Sequence, residues 1–180
     1  MKKTTTVRLL AITGLLAGMY TALTLFLAPV SFGLIQCRLS ESLTILAAYM
    51  PAAIPALTLG CAISNLLGLG MGANPAGALD IFLGPLATGV AAWLSWRWRR
   101  YRIGGLPVLS TLPPVVLNAV IIGTELALVS PTFTVEILFI QMGLVAAGQL
   151  VACVGGGLLL AKCWEMTGLQ QRLLGENIYK

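Results

Sequence analysis

Long apolar runs dominate this chain and recur along most of its 180 residues. Clear runs extend over Leu9–Ala28, Leu79–Trp96, Leu106–Val129 and Val135–Ala161. Each has about the 20 residues that an α-helix needs to cross the hydrocarbon core of a bilayer. The runs are continuous rather than alternating, so they predict transmembrane helices and not the strands of a membrane barrel.

The region between the first two runs is apolar as well, but proline interrupts it. Pro51 and Pro55 lie near the middle of Leu39–Leu69, and proline breaks a helix because it lacks a backbone donor. We expect two short crossings here, Leu39–Met50 and Ile54–Leu69. A re-entrant loop is the alternative.

Ten of the eleven basic residues, all except Arg38, lie in three blocks beside the apolar runs, and these blocks predict the topology. The blocks are Lys2, Lys3 and Arg8; Arg97, Arg99, Arg100 and Arg102; and Lys162, Arg172 and Lys180. By the positive-inside rule all three blocks are cytoplasmic, so the chain crosses an even number of times between them. A signal peptide is the alternative for the first run, but the run is long and lacks a good cleavage site.

The predicted fold is therefore an all-α integral membrane protein with six transmembrane helices and both termini in the cytoplasm. We expect one domain over residues 1–180. Its predicted helices cover about 8–28, 39–50, 54–69, 79–97, 106–129 and 135–162, with a cytoplasmic tail at 165–180.

Polar residues are rare enough to be informative, since 58% of residues are hydrophobic and only 9% are charged. An ionisable side chain at membrane depth costs several kcal/mol unless it is paired or faces a cavity. The predicted topology puts most of the polar residues within the apolar region into its outer half: Gln36, Arg38, Glu41, Asn65, Asn74, Asp80, Glu125 and Glu136. A polar pocket open to the exterior explains this clustering.

Ordinary charges at the membrane surface are the alternative explanation. We prefer it for Glu136, which adjoins a polar loop, and Glu125 is open to both interpretations. For Arg38, Glu41 and Asp80 we prefer the pocket.

Several chemistries are excluded by residues that the chain lacks. It has no histidine, a single aspartate and no Cys-x-x-Cys spacing, so we predict no metal site and no catalytic residues. No phosphate-binding loop is present, so we expect that the chain does not use ATP itself. If it transports a solute against a gradient, it needs coupling ions or a partner ATPase. We expect no cofactor. The net charge of +5 does not indicate nucleic acid, because the basic residues lie beside the apolar runs.

The first helix carries small residues at every fourth position, Gly14, Gly18 and Ala22. Such a row forms a smooth groove that lets another helix approach closely. Packing within the protein is the alternative to contact with a partner.

Three segments together resemble a known family. They are FGLIQCRLSESLTIL, PAAIPALTLGCAISNLLG and ALDIFLGPLAT, with the motifs IQxRxSE, GCxxSN and LDxxxGxLAT in that order. They closely resemble the queuosine-precursor transporter (QueT) family over about residues 14–149. Asn118 and Glu125 also look like family positions.

The resemblance implies the substrate-binding S-component of an energy-coupling factor (ECF) transporter in the bacterial plasma membrane. The partners it implies are a transmembrane coupling protein, two cytoplasmic ATPases and the lipid bilayer. The row at Gly14, Gly18 and Ala22 resembles the face with which S-components dock on the coupling protein. An S-component for another vitamin, a stand-alone proton-coupled carrier and, third, a membrane enzyme are the alternatives.

A deazaguanine ligand suggests roles for the polar residues. Glu41 or Asp80 would accept its adjacent N–H donors, and an amide from Gln36 or Asn65 would meet its carbonyl. Glu125 would face a cationic aminomethyl group. Arg38 would pair with Glu41, one helical turn away. The sequence leaves open whether the ligand is the base, its aminomethyl form or the nucleoside.

Overall fold

The computed structural model describes residues 2–33 and 35–168, with side chains from residue 7 onward. Within those ranges it is helical. The α-helices are α1 (Lys2–Phe26), α2 (Ala28–Ser31), α3 (Ala53–Gly70), α4 (Asp80–Arg97), α5 (Leu112–Val129), α6 (Val135–Gln149) and α7 (Gly157–Thr167). Two 3₁₀ helices, Leu39–Ala48 and Val108–Thr111, and a π-helical segment, Leu150–Gly156, complete the fold. Residues 169–180, most of the predicted tail, lie outside the described residues.

The helix boundaries follow from residues with strong local preferences. Pro51 separates the first 3₁₀ helix from α3, and Pro113 opens α5, where a missing N–H costs no hydrogen bond. The Thr134 hydroxyl caps α6 by accepting a hydrogen bond from the Ile137 amide. Gly168 ends α7 with a positive φ of 60°, a conformation that glycine adopts without steric cost.

Among the described residues, four helical segments are long and apolar enough to cross a membrane. They are Val7–Phe26, Ala53–Gly70, Val108–Val129 and Val135–Thr167. Helix α4 has 18 residues but lower hydropathy, because it begins at Asp80 and ends at Arg97. The count of six crossings and the cytoplasmic position of both termini remain predictions.

The surface of the protein is more apolar than that of a soluble protein. Phe26 and Phe82 are 86% and 75% exposed, while Ser40, Asn65 and Asp80 are completely buried. Large exposed apolar areas mark surfaces that contact lipid or protein. Helices with apolar outer faces and small or polar inner faces are those of a membrane protein.

The 3₁₀ helix Leu39–Ala48 lies at the centre of the fold. Eight of its ten residues are buried, and it packs against α1, α3, α4, α7, the 3₁₀ helix Val108–Thr111 and the π-helical segment. The short crossing predicted at Leu39–Met50 falls on this helix. At about 2.0 Å per residue, the helix is about 20 Å long, which is shorter than the hydrocarbon core of about 30 Å.

Helices α6 and α7 and the π-helical segment between them form one continuous helix, Val135–Thr167. The π-helical segment contacts the central 3₁₀ helix. A Cβ added at Gly156 would lie 3.1 Å from the Ser42 Cβ. The glycine therefore permits a close approach between the long helix and the 3₁₀ helix.

Candidate ligand-binding site

A buried ion pair joins the residues before the 3₁₀ helix to the start of α4. Arg38 Nη2 donates to Asp80 Oδ2 over 2.5 Å, and the Asn74 amide nitrogen donates to the same oxygen over 2.9 Å. Asp80 is the first residue of α4, where the helix dipole favours a negative charge. The Arg38 guanidinium also lies 5.0 Å from the centre of the Phe32 ring.

The arginine was predicted to pair with Glu41, and this is wrong. That prediction assumed a helical stretch from Arg38 to Glu41. Arg38 instead has an extended backbone, with φ −84° and ψ 96°, and the 3₁₀ helix begins only at Leu39. The guanidinium therefore reaches Asp80 on α4 rather than the next turn of its own segment.

Asn65 of α3 lies against the same end of α4. Its amide nitrogen donates to the Asp80 carbonyl oxygen over 2.6 Å. Gly84 makes room for this contact, because a Cβ there would collide with the Asn65 amide nitrogen and with Asp80 Oδ1. With its nitrogen engaged, Asn65 presents its oxygen, so it offers an acceptor and not the donor that a ligand carbonyl needs.

Glu41 lies in the first turn of the 3₁₀ helix and is fully buried. Its Oε1 accepts hydrogen bonds from the Tyr20 hydroxyl over 2.5 Å and from the Thr88 hydroxyl over 2.6 Å. Both donors are neutral, and no described cation forms an ion pair with this carboxylate. The two bonds hold one oxygen of the carboxylate in place.

Gln36 has an unusual backbone conformation. Among the described residues it is the one non-glycine residue with a positive φ, 43°, although its side chain is 1% exposed. Helix α6 packs closely against this segment at Gly148. A Cβ added at Gly148 would collide with the Ile35 carbonyl oxygen and the Cys37 backbone. Strained backbone of this kind concentrates at functional sites.

The two predicted residues of α5 differ in their surroundings. Glu125 is buried and within range of the charges of Asp80 and Arg38. Asn118 is also buried, but its amide nitrogen donates to the Pro114 carbonyl oxygen one turn earlier in the same helix. No described hydrogen bond joins Asn118 to the other predicted site residues.

Several buried polar atoms of the predicted site residues have no protein partner within the described ranges. They are Glu41 Oε2, Asn65 Oδ1, Asp80 Oδ1, both carboxylate oxygens of Glu125, and Gln36 Nε2. Five are acceptors and one is a donor. Because an unpartnered buried polar atom costs about 1–3 kcal/mol, this set is suited to a ligand that carries several N–H groups and one acceptor.

A cavity of about 410 Å³ adjoins the polar cluster. It is lined by Phe32, Gly33, Pro75, Leu126, Val129, Ser130, Pro131 and Gln141. None of the predicted site residues lines it. Phe32 connects the two regions, because its ring forms part of the cavity wall and also contacts the Arg38 guanidinium. The volume falls within the range of about 300–1,000 Å³ that is usual for small-molecule pockets.

The small-residue row of α1 faces outward. Gly14, Gly18 and Ala22 are exposed, and a Cβ added at either glycine would meet nothing within 4 Å. A shallow concavity of about 370 Å³ lies on the same helix, lined by Met19, Ala22, Leu23 and Phe26. No described helix covers this row, so its close-packing surface is open to another chain.

Sequence reasoning missed two side chains that hold the site together. Tyr20 and Thr88 both bind Glu41, and both are buried. Thr88 is the last residue of the LDxxxGxLAT motif and Gly84 is its glycine, so that motif contained a signal. Tyr20 had no comparable signal, because one tyrosine in an apolar helix does not show which way it points.

No group of three or more His, Cys, Asp or Glu side chains is placed to hold a metal ion in the part of the chain that the structure describes.

Comparison with known proteins gives one match. The model of the family described as QueT transporter matches residues 10–165. No curated protein and no solved structure matches the chain. The matched span runs from the first half of α1 almost to the end of α7 and includes the whole polar cluster. The chain therefore belongs to the QueT transporter family.

Proposed function

We propose that this protein is the substrate-binding S-component of an ATP-driven ECF importer, and that it captures a queuosine precursor outside the cell. The protein would lie in the bacterial plasma membrane as a six-helix, multi-pass subunit with both termini in the cytoplasm. Its partners would be a transmembrane coupling protein and two cytoplasmic ATPases. Membership of the QueT transporter family supports the transport role.

The observation that carries the ligand class is the set of unpartnered buried polar atoms. A deazaguanine base has adjacent N–H donors beside a carbonyl acceptor. Glu41 Oε2, Asp80 Oδ1 and Asn65 Oδ1 supply acceptors for the donors, and Gln36 Nε2 supplies a donor for the carbonyl. A site of this kind rejects analogues that lack the donors, because its acceptors would stay buried and unpaired.

The charge of the cluster favours a cationic form of the ligand. Arg38 and Asp80 offset each other as an ion pair, while neither Glu41 nor Glu125 forms an ion pair with any described residue. An aminomethyl group near Glu125 would supply the missing positive charge. We therefore favour the aminomethyl base over the neutral base.

The cavity beside Phe32 is the proposed access route from the exterior. The polar cluster itself is closed, since Arg38, Glu41 and Asp80 are at most 3% exposed. A ligand in the cavity would meet the Phe32 ring first, and displacement of that ring would open the way to Arg38 and Asp80.

The exposed row at Gly14, Gly18 and Ala22 supports the proposed docking role of α1. Small residues let two helix backbones approach closely, which is the main source of affinity between helices in lipid. The row is open and flanked by exposed Leu15 and Met19.

Ligand binding by the purified protein tests the proposal. We expect 7-aminomethyl-7-deazaguanine to bind, and Glu41→Gln and Glu125→Gln each to weaken binding by about 10-fold or more, since hydrogen bonds to charged groups contribute about 1.5–3 kcal/mol. Glu136→Gln is the matched control, because Glu136 is exposed at the start of α6. If both site variants bind as tightly as the parent, the site assignment is wrong.

Two measurements separate the alternatives. A thermal-shift panel of riboflavin, biotin, thiamine and deazaguanine bases distinguishes S-components for different vitamins, because a tight ligand stabilises the folded protein. Uptake that survives loss of the ATPases but stops when the proton gradient collapses would instead indicate a stand-alone carrier that uses Glu41, Asp80 or Glu125.

A further inference from the structure

Helix α1 carries different chemistry on its two faces. Gly14, Gly18 and Ala22 are exposed on one face, and Tyr20 and Thr24 are completely buried on the other. At 3.6 residues per turn, Tyr20 projects almost opposite to Gly18. One helix thus presents the proposed docking row outward and hydrogen-bonding groups inward.

Two hydrogen bonds connect the inner face of α1 to the start of the 3₁₀ helix. The Tyr20 hydroxyl donates to Glu41 Oε1, and the hydroxyl oxygens of Thr24 and Ser40 lie 2.7 Å apart. Tyr20 and Thr24 are one turn apart on α1, while Ser40 and Glu41 are consecutive. The pair of bonds therefore fixes the position of the ligand-facing segment relative to α1.

The other end of the Tyr20 side chain is held by α3. A Cβ added at Gly60 would lie 2.8 Å from the Tyr20 Cβ and 2.9 Å from the Ala17 carbonyl oxygen. The Tyr20 side chain is thus close to α3 at its Cβ and hydrogen-bonded to Glu41 at its hydroxyl.

The two oxygens of Glu41 have different surroundings. Oε1 accepts from Tyr20 and Thr88, and Oε2 has no protein partner in the described ranges. A ligand N–H that donates to Oε2 would draw negative charge from the whole carboxylate. The strength of the Tyr20 bond to Oε1 then depends on whether ligand is bound.

We propose that Tyr20 is a positioning residue, which orients Glu41 for the ligand and couples ligand binding to docking through the outer face of α1. This inference rests on the proposed function. Coupling between two binding events is reciprocal: if docking changes ligand affinity by some factor, ligand changes docking affinity by the same factor.

Ligand binding to the isolated subunit tests the positioning role. We expect Tyr20→Phe, which keeps the ring, to weaken binding of 7-aminomethyl-7-deazaguanine by about 10-fold. Thr21→Val is the matched control, since it removes a hydrogen bond of the same helix that does not touch Glu41. In a Glu41→Ala background, where Tyr20 has no carboxylate left to orient, Tyr20→Phe should have little further effect, because the two residues act as one unit. Additive losses, as a purely structural role would give, overturn the proposal.

Assembly with the coupling protein and ATPases in lipid nanodiscs tests the coupling. We expect the dissociation constant of the same probe to change on assembly in the parent and in Thr21→Val, and to change much less in Tyr20→Phe. An equal change in all three proteins, or no change in the parent, overturns the coupling. If Tyr20→Phe does not fold, Ser40→Ala, which removes the second bond to α1, carries the same comparison.

The outcome for the parent protein keeps the two proposals apart. If the parent binds neither 7-deazaguanine nor its aminomethyl derivative, the proposed function fails and the inference fails with it. If the parent binds and the losses are additive, only the role of Tyr20 is wrong.

Discussion

Arg38 and Asp80 form an ion pair across 42 positions of sequence, and both side chains are almost completely buried. The pair fixes the segment before the 3₁₀ helix against the first turn of α4. These two elements carry three of the seven predicted site residues, Gln36, Arg38 and Asp80. The ion pair is therefore a structural support of the proposed site.

Breaking this pair from one side should strongly destabilise the fold. We expect Asp80→Asn to lower the free energy of unfolding by about 3–5 kcal/mol, because it leaves the Arg38 charge buried without a counter-ion. Thermal unfolding in detergent measures the loss, with the exposed Glu136→Gln as control. A double variant, Arg38→Met with Asp80→Leu, should recover much of it. An Asp80→Asn protein as stable as the parent would contradict the role given to the pair.

A methyl group at Gly84 should damage the site while leaving the helix intact. Gly84→Ala would push the added carbon into the Asn65 amide and Asp80 Oδ1, at a cost of about 1–3 kcal/mol. We expect weaker binding of 7-aminomethyl-7-deazaguanine, measured by calorimetry. Gly143→Ala is the matched control, since nothing lies within 4 Å of its added carbon. Equal affinities for both variants would show that Asn65 and Asp80 can shift without consequence.

Relief of the backbone strain at Gln36 should change the stability of the protein and its ligand affinity in opposite directions. The left-handed conformation at residue 36 costs about 1–2 kcal/mol for a residue with a Cβ, and Gln36→Gly removes that cost because glycine adopts positive φ freely. The substitution also removes an unpartnered buried nitrogen. We expect a higher unfolding temperature and weaker ligand binding in the same variant. A lower unfolding temperature would mean that the Gln36 side chain stabilises the fold through its packing.

A large side chain on the outer face of α1 should prevent assembly without affecting the binding site. Gly18→Leu adds bulk where nothing lies within 4 Å of an added Cβ, so the isolated subunit should fold and bind ligand as the parent does. We expect it to lose association with the coupling protein, measured by co-purification. Gly143→Leu makes the same change at another open position and should assemble normally. If both variants assemble with the coupling protein, the docking surface does not lie on α1.

The helical fold could be predicted from sequence because its signals are local. Continuous apolar runs mark the helices, and Pro51 marks the break before α3, without knowledge of any distant contact. Pro55, which was also expected to interrupt the chain, lies in the first turn of α3. Rare charges in an apolar chain likewise marked Arg38, Glu41 and Asp80 as unusual. The structure buries all three, while their part in ligand binding remains a prediction.

The contacts between helices could not be predicted in the same way. The pairing of Arg38 depends on the backbone at Gln36 and Arg38, which is not helical and which no periodic pattern reveals. The choice of 3₁₀ over α geometry at Leu39–Ala48 depends on packing against six neighbouring elements. Tyr20 binds Glu41 because of how α1 is rotated, and the sequence of α1 alone does not fix that rotation.

The central 3₁₀ helix has a mechanical consequence. Ten residues extend about 20 Å in 3₁₀ geometry and about 15 Å in α geometry, so the same residues have two lengths that differ by about 5 Å. Its first turn holds Glu41 at the polar cluster, and Tyr49 at its far end packs against Trp164 of α7. A change of geometry within this one element would alter the distance between those two points, without a hinge in any of the surrounding helices.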